Sequence, residues 1–470
     1  MSTFGGLNTA YTGLTAARAG MDTVGQNISN VNTPGYTRQR VATSANAALA
    51  GVSTTAPIGA GVTVDTISRL GNALLDSRVQ SSAAASGYAD VTSSAMNAIE
   101  ASTYEPGDTG LSATLQSFWA SWQNVANSPG DTSAANVMLQ SASTLASRIA
   151  QGYTDSVSQW STVHAQAQSD VAQINTLATQ VAGFNDLIRQ TTAAGGSPNE
   201  LIDQRNALTA QLAALTGSTT VSHQDGTLDV MVGGNPLVSG TQTKTLVLTG
   251  ATQLADANST PVTVEWSNHP GVSADVYGGK LAAAVAVLAP GTATTGGSIV
   301  SASETYNALA TQLVTVVNAI HSTGATPSGT TGLAFFAIDA TKPAALGLSV
   351  IPTDVSQVAA GIPGTGAANG GIADAIAALG TSTTGPDAAW SAFVVRTGIQ
   401  TSRATNQAAV ATQAASAATA QQLSQSGVDM DQESTDLLTY QRAYQGAARM
   451  MTAIDQMLDT LINRTGLAGR

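Results

Sequence analysis

The residue types that could support catalysis or bind a metal are scarce and scattered in this 470-residue sequence. None of its four histidines lies in an H-E-x-x-H motif or beside the carboxylates that a catalytic metal would need. They are His164, His223, His269 and His321. The chain has no cysteine, which excludes disulfide bonds, thiolate nucleophiles and cysteine-based zinc sites. We therefore predict no metal site, no cofactor and no catalytic histidine.

Signatures of phosphate binding and serine hydrolysis are also missing. Gly279-Lys280 resembles the end of a P-loop, but Leu281 stands where Ser or Thr would hold magnesium. No serine lies in a G-x-S-x-G nucleophile motif. Four acidic residues could form a pair of catalytic carboxylates: Asp429, Asp431, Glu433 and Asp436. Because negative charge in the first turn of a helix complements its dipole, we interpret them as structural and predict no enzymatic activity.

The composition excludes two classes of partner. Charged residues make up 10% of the chain and its net charge is −12, so it lacks the positive surface that nucleic-acid binding requires. The most apolar run, from Leu281 to Ala289, is far shorter than the roughly 18 residues of a membrane span. No apolar segment precedes Arg18, so we expect no cleaved signal peptide. We predict neither a nucleic-acid nor a membrane partner.

Both ends of the chain carry apolar residues at intervals of seven. Two interlocked N-terminal series contain Leu7, Leu14, Met21 and Ile28, and Ala10, Ala17, Val24 and Val31. The C-terminal series contain Leu437, Tyr440, Tyr444, Ala447, Met451, Ile454, Leu458 and Leu461. Such repeats are typical of the a and d positions of a coiled coil, so we predict two seam helices that need a partner. Two ordinary amphipathic helices in a globular bundle remain an alternative.

A turn is predicted directly after the N-terminal seam. The sequence there is Asn32-Thr33-Pro34-Gly35-Tyr36. Proline and glycine suit the two central positions of a type II turn, since proline fixes a negative φ and glycine tolerates a positive one. The chain should therefore change direction at this point.

Between the two seams the sequence predicts a helical domain. Apolar residues from Trp160 to Ile188 keep a helical period up to Gly195-Gly196, which indicates a long, rod-like helix. Ser197-Pro198-Asn199-Glu200 then has the form of a capping box, so a second helix should run back antiparallel and end at Gly217. Ser301 to Glu304 predicts a further capped helix in the same way.

The pattern becomes strand-like after residue 217. Polar and apolar residues alternate on both sides of Asp225-Gly226, which is a strong hairpin signal. Thr245 to Leu248 and Val262 to Trp266 are also β-type segments. The Gly-, Ala- and Thr-rich stretch from Gly361 to Gly385 is predicted to be loop.

Together these patterns predict an elongated, multidomain, mainly α fold with a smaller β module. Residues 1–70 with 400–470 should form an inner α-helical domain in which the terminal helices pair as a coiled coil. Residues 71–217 with 298–399 should form a helical rod or bundle. Residues 218–297 should form an inserted, strand-rich outer module.

The residues around both seams resemble the terminal signatures of bacterial flagellar rod, hook and hook-associated proteins. The N-terminal motif is Asn27-Ile-Ser-Asn30-Val-Asn-Thr-Pro-Gly-Tyr36-Thr-Arg-Gln39. The C-terminal motif is Tyr440-Gln-Arg-Ala-Tyr444-Gln, followed by Met457-Leu-Asp-Thr-Leu-Ile-Asn463. Ser197 to Leu208, and Asn235-Pro-Leu-Val238 after the predicted hairpin, are similar to the hook-associated members. The similarity covers most of the chain apart from about residues 240–300 and 340–390.

This resemblance implies a structural protein that is exported and becomes part of the extracellular flagellum, at the junction between hook and filament. It implies self-assembly into a ring or helical layer through the terminal helices. The hook protein, a second junction protein and an export chaperone on the C-terminal helix are the implied partners. The implied assembly residues are Leu7, Leu14, Met21, Ile28, Leu437, Tyr440, Tyr444, Met451, Ile454, Leu458 and Leu461, with Asn32, Pro34, Gly35 and Tyr36 in the turn.

Two other functions stay open at the level of sequence. Another axial component, such as a hook or distal-rod subunit, would share the termini but should lack the hairpin that contains Ser197 to Leu208. An enzyme or adhesin built on an axial scaffold would need a catalytic constellation or a binding pocket in the segments without similarity.

Overall fold

The computed structural model describes residues 3–46, 59–292, 296–366 and 369–464. Helices account for most of these residues, which confirms the prediction of a mainly α fold with a smaller β part. The helices are α1 (Thr3–Ser29), α2 (Ala73–Thr103), α3 (Leu111–Asn127), α4 (Thr132–Ala193), α5 (Asn199–Thr216), α6 (Gly279–Leu288), α7 (Ser298–His321), α8 (Ala344–Gly347), α9 (Gly371–Ala377), α10 (Pro386–Ser426) and α11 (Met430–Asp459), which a π-helical turn extends (Thr460–Arg464).

The strands pair in small antiparallel sheets. They are β1 (Gln39–Ala45), β2 (Val62–Arg69), β3 (Thr219–Ser222), β4 (Leu228–Val232), β5 (Asn235–Ser239), β6 (Gln242–Thr243), β7 (Leu246–Thr249), β8 (Thr263–Trp266), β9 (His269–Ser273), β10 (Phe336–Ile338) and β11 (Leu348–Val350). Two of the sheets are single hairpins, β1-β2 near the N-terminus and β10-β11 beside the helices.

A rod of packed helices is built around α4, which is 62 residues long. α3, α5 and α7 pack along α4, and α2 packs on α5, α6 and α10. Large side chains fill the space between the helices and are almost completely buried: Phe118, Trp122, Trp160, Phe335 and Trp390. Because each buried aromatic removes about 150–250 Å² from water, this core stabilises the rod from within the chain.

α4 and α5 form the predicted helical hairpin. α4 ends at Ala193, directly before the Gly195-Gly196 break. α5 ends at Thr216 and is capped by Gly217, whose φ of 68° is the left-handed conformation that glycine adopts most easily after a helix.

Both predicted capping boxes are wrong in position. α5 begins at Asn199, after Ser197, whose hydroxyl oxygen instead lies 3.3 Å from the Thr66 hydroxyl of β2. α7 begins at Ser298, ahead of Ser301, whose hydroxyl donates to the Gly291 carbonyl at 3.1 Å. In both cases a hydrogen bond to another segment holds the serine hydroxyl away from the helix end.

Residues 219–273 form two sheets with the strand orders β3-β4-β5-β6 and β7-β8-β9. The β3-β4 hairpin turns at Asp225-Gly226 as predicted, with the His223 N–H donating to the Thr227 carbonyl at 2.9 Å. The range predicted to be strand-rich, 218–297, also contains the helix α6, which packs against α2 and α5. The strands of this range end at Ser273, and α6 packs with the helices of the rod.

The segment predicted as loop between Gly361 and Gly385 contains a short helix. α9 buries Ile372, Ala373 and Ile376 and packs against α3. Isoleucines four residues apart lie on one face of a helix, and this spacing was masked by the surrounding glycines. The prediction of an entirely irregular segment is therefore wrong.

α10 is one continuous helix that lies antiparallel along α2. Thr401 donates to the Met96 carbonyl at 3.3 Å, and Arg78 donates to the Gln421 side chain at 2.7 Å. The domain boundary expected at residue 400 falls inside this helix. The structure instead places the change of direction at Gly427, between α10 and α11.

Candidate assembly interface

α1 and α11 lie antiparallel against each other, and glycines occupy the centre of their contact. The facing pairs are Gly6 with Ile454, Gly13 with Ala447 and Gly20 with Tyr440. A Cβ atom at Gly20 would lie 2.4 Å from the Tyr440 ring, closer than any real contact allows. Glycine at this position therefore lets the ring lie directly on the α1 backbone.

The structure places the apolar series of α1 around this contact. Ala10, Ala17 and Val24 are buried, with at most 4% of each side chain exposed. The predicted assembly residues of α1 are half-buried: Leu7, Leu14, Met21 and Ile28. Each of these follows a residue of the central contact in sequence, so the four form one flank of the helix pair rather than its centre.

α11 covers little of its own apolar surface. Across its 30 residues, Glu433 and Ile454 are the two that are buried. The other predicted assembly residues of this helix are half-buried: Leu437, Tyr440, Tyr444, Met451 and Leu458. Four further side chains from 438 onward are about half exposed: Leu438, Met450, Met457 and Leu461. A single chain therefore leaves an apolar surface along α11 open to solvent.

The connection after α1 contains the predicted turn. The Tyr36 N–H donates to the Thr33 carbonyl at 3.2 Å, and Gly35 has a φ of 80°. Both features match a type II turn with Pro34 and Gly35 at its centre. Asn32 and Pro34 are exposed, whereas Tyr36 points inward and is half-buried.

A polar cluster, which we call the joint, connects the terminal helix pair to the rod. It consists of Asn27, Tyr36, Arg38, Gln39, Arg69, Asn199, Glu200, Asp203 and Glu433. Glu433 of α11 is fully buried, and its carboxylate accepts from Asn27 at 3.0 Å and from the Arg38 guanidinium. Arg38 also donates to Asp436 at 3.0 Å. Glu433 of α11 therefore bonds to the end of α1 and to the segment that connects α1 with β1.

Asn27 also bonds to the turn and to β1 through both polar atoms of its side chain. Its Oδ1 accepts from the Tyr36 hydroxyl and from the Gln39 N–H, each at 2.9 Å, and its Nδ2 donates to the Gln39 carbonyl at 2.9 Å. The turn is thereby held against the last part of α1.

The other side of the joint belongs to the rod. The Gln39 amide donates to Glu200 at 2.8 Å and accepts from Asn199 at 2.9 Å, which ties β1 to the start of α5. Asp203 of α5 accepts from the Thr37 N–H at 2.8 Å and is paired with Arg69 of β2. The network thus runs without a break from α11 to α5.

Burial in the joint shifts the pKa of two of its groups. Burial, together with the nearby carboxylates of Glu200, Asp203 and Glu433, raises the pKa of Tyr36 to about 12. The Tyr36 hydroxyl therefore remains a hydrogen-bond donor at neutral pH. Burial also raises the pKa of Asp203, although its pairing with Arg69 opposes this effect.

Comparison with known proteins decides what this arrangement belongs to. A family described as the flagellar hook-associated protein FlgK helical domain matches residues 96–336, about half of the chain. The chain belongs to this family of flagellar hook-associated proteins. The two ends match families described as flagella basal body rod protein (residues 7–37) and flagellar basal body rod FlgEFG protein C-terminal (residues 419–464).

Individual members of the family are similar along the chain. Flagellar hook-associated protein 1 of Bacillus subtilis is 27% identical over all of this chain and all of its own length. Its namesake from Salmonella typhimurium is 30% identical, over 71% of this chain and 59% of its own length. The solved structure of the flagellar hook junction protein FlgK from Burkholderia pseudomallei covers 75% of this chain with a TM-score of 0.61 and 16% identity, which shows a shared fold.

Membership of this family makes the chain a structural protein of the bacterial flagellum, as its two terminal motifs predict. The matched helical domain includes the α4-α5 hairpin, the feature that a hook or distal-rod subunit was expected to lack. The family assignment therefore favours the hook-associated interpretation over the other axial proteins.

Two of the histidines of this hook-associated protein, His321 and His164, lie among structural contacts. His321 is fully buried, its Nδ1 lies 2.8 Å from the Leu333 carbonyl, and its Nε2 accepts from the Ala359 N–H at 3.0 Å. His164 stacks on Trp160. Within the described ranges, no three or more histidine, aspartate and glutamate side chains are arranged to hold a metal ion.

A cleft of about 570 Å³ lies between the α3-α4 turn and two loops near residues 325 and 361. Asp131 is the ionisable residue of its lining, and that carboxylate caps α4 by accepting from the Ser133 N–H at 2.8 Å. The cleft therefore presents no acid and base pair. None of the helices in the described segments is both long and apolar enough to cross a membrane.

Two parts of this interface were missed at the level of sequence. The series Gly6, Gly13, Gly20 and Asn27 repeats every seven residues, but a search for apolar residues passes over glycine. Glu433 was interpreted as a helix-dipole residue, although it repeats in sevens with Tyr440, Ala447 and Ile454. Heptad position, counted regardless of residue type, would have placed both on the contact between the helices.

Proposed function

We propose that this hook-associated protein forms the layer between hook and filament by packing copies of its terminal helix pair side by side. The uncovered apolar surface of α11 is the observation that carries this proposal. Leu437, Met451 and Leu458 are half-buried in one chain, and an apolar strip along a helix gains stability when a neighbour covers it.

Assembly through such a surface has a defined geometry. A contact between different patches of identical subunits either closes into a ring or continues as a helix. The resemblance of both terminal motifs to axial flagellar proteins implies that the terminal helix pairs lie innermost and the rods outside them. We therefore assign α1, the β1-β2 hairpin and α11 to the inner domain, α2 to α5 with α6 to α10 to the rod, and β3 to β9 to the outer module.

The proposed partners are those that the resemblance to hook-associated proteins implies. The layer would contact the hook protein on one side and a second junction protein on the other. An export chaperone would cover the apolar strip of α11 before assembly, since exposed strips of this kind aggregate. The proposed role is structural and extracellular, without enzymatic activity.

The proposal is tested with Leu437→Ala, Met451→Ala and Leu458→Ala combined in one chain. If these side chains are well packed between subunits, each loss costs assembly about 2 to 5 kcal/mol. The variant should be exported and should retain a folded rod, yet cells that carry it in place of the native chain should shed unattached filament subunits and fail to swim.

The matched control replaces exposed polar residues of the same helix, Gln445→Ala, Thr452→Ala and Gln456→Ala. It should assemble and support swimming like the native chain. Normal filaments in the apolar triple variant, seen by electron microscopy of isolated hooks, would contradict assembly through this surface.

A further inference from the structure

We infer that the joint holds the terminal helix pair at one fixed angle to the rod, with Arg38 and Glu433 as its central positioning residues, and that this angle determines whether neighbouring copies fit together. The second part rests on the proposed function. The first concerns the single chain and can be tested on it alone.

The angle is not set by a continuous helix. α10 ends at Ser426 and α11 begins at Met430, so the chain leaves the rod through an interruption at Gly427 and Val428. On the other side, α1 ends at Ser29 and is followed by the turn at Pro34-Gly35. Both covalent connections could bend, so non-covalent contacts must fix the orientation.

Arg38 lies where the separate pieces meet. Its N–H donates to the Ser426 carbonyl at the end of α10 at 2.8 Å, and its carbonyl accepts from the Leu70 N–H just after β2 at 2.9 Å. Its guanidinium is paired with Glu433 of α11, and 15% of the Arg38 side chain is exposed. One residue thus contacts the rod, the hairpin and the terminal pair.

The chemistry of the joint suits positioning better than stabilisation. A buried ion pair gains little net stability, because removing both charges from water offsets their attraction. Hydrogen bonds are directional, however, and both carboxylate oxygens of Glu433 are used, one by Asn27 and one by Arg38. The glycine and alanine contact between α1 and α11 has no bonds of this kind, so it cannot define the angle to the rod.

The test measures the angle directly. The chain has no cysteine, so nitroxide spin labels can be attached at Thr439→Cys, near the joint end of α11, and Thr179→Cys on α4, both at exposed positions. In the monomer, pulsed electron paramagnetic resonance should give one narrow distribution of distances between the labels. Arg38→Met combined with Glu433→Met should lose this single peak while the thermal midpoint of the rod stays the same or rises.

Two further variants separate positioning from general damage. Glu433→Gln keeps the shape and one acceptor oxygen, so its distribution should be intermediate in width. Asp436→Asn removes the more exposed partner of Arg38, 40% of whose side chain is in solvent, and should keep the narrow peak. The double variant should also fail to support filament growth, whereas Asp436→Asn should support it.

The outcomes are distinct. A narrow peak that survives in the double variant, or a broad distribution in the native chain, overturns the inference that the joint fixes the angle. A broad distribution in a double variant that still supports normal filaments overturns the link between angle and assembly. If the native chain shows the narrow peak but does not support filament growth, the proposed function fails and the positioning role of the joint stands.

Discussion

The rod and the terminal helix pair are both built of long helices, but they differ in how many side chains each region buries within one chain. α4 buries side chains along its full length. Four of them are fully buried: Met138, Trp160, Ile174 and Ile188. α11, at about half that length, buries Glu433 and Ile454. The rod therefore has a complete core within one chain, whereas the terminal pair has a partial one.

The two regions are therefore stabilised by different contacts. When a helix pair buries few apolar side chains, the free energy gained by burial is little more than the entropic cost of ordering its backbone. In the proposed assembly, neighbouring subunits complete its packing along the apolar surface of α11. The rod needs no such help, so changes in the two regions should have separate consequences for folding and for assembly.

The largest expected effect on the single chain comes from the rod. Trp160 is fully buried, stacks on His164 and donates toward the Leu288 carbonyl at 3.5 Å. Trp160→Ala should lower the free energy of unfolding of the monomer by about 3 to 5 kcal/mol, because it leaves a cavity. Urea denaturation followed by circular dichroism measures this loss.

Met451→Ala on α11 is the comparison variant for this experiment. It should leave the urea midpoint of the monomer unchanged, since that side chain is only half-buried in one chain. If both variants lower the midpoint equally, the two regions share one core and the distinction between them is wrong.

A smaller effect is expected inside the terminal pair. Gly20→Ala places a methyl group against the Tyr440 ring, and overpacking of this kind costs about 1 to 3 kcal/mol. Assembly should weaken while the rod unfolds as before, which sedimentation and circular dichroism measure separately. Gly25→Ala on the same helix is the control, since a Cβ there meets no atom within 4 Å. Equal assembly by both variants would show that Gly20 is not a point of close approach.

The smallest effect is a pH dependence confined to the rod. Burial lowers the pKa of His321, and its Nε2 must be unprotonated to accept from the Ala359 N–H. The rings of Trp122 and Phe335 pack against it. The unfolded chain binds a proton near pH 6.5 and the folded chain only at lower pH. Rod stability from this group should thus be complete above about pH 6.5 and fall as the pH drops through the lowered pKa.

Urea midpoints between pH 7.5 and pH 5 measure this slope. In His321→Gln the part of the slope due to this group should disappear, whereas His269→Gln at an exposed position should keep it. An identical slope in His321→Gln would mean that other groups cause the pH dependence. Neither α1 nor α11 contains histidine, so the terminal pair should not share the effect.

How far the sequence predicts this molecule depends on what each element buries. The hairpin of α4 and α5 and the turn at Pro34-Gly35 were predictable, because apolar period and the φ preferences of proline and glycine act locally. α9 was not, since its two isoleucines are isolated among glycines and are buried against α3 and α7. The start of α5 was misplaced because Ser197 bonds to Thr66, which is distant in sequence.

The interface divides in the same way. The heptads of Leu7 and Leu437 identify the helices that pair, but they do not give direction or centre. Those depend on Gly20 meeting Tyr440 and on Asn27 meeting Glu433, contacts between the two ends of the chain. Heptad position places Asn27 and Glu433 between the two helices, but it does not give the bonds of the joint to β1 and α5, which are visible only in the folded structure.

Hydrogen–deuterium exchange can show whether the terminal pair completes its packing only on assembly. Peptides from residues 445–459 of α11 should exchange quickly in the free monomer and slowly in the assembled layer, because neighbouring subunits then cover the apolar strip. Peptides from residues 138–188 of α4 should exchange slowly in both states. Exchange of residues 445–459 that is slow in the dilute monomer and equal to that in the assembled layer would contradict completion of the packing by assembly. The core of the helix pair would then be complete without its neighbours.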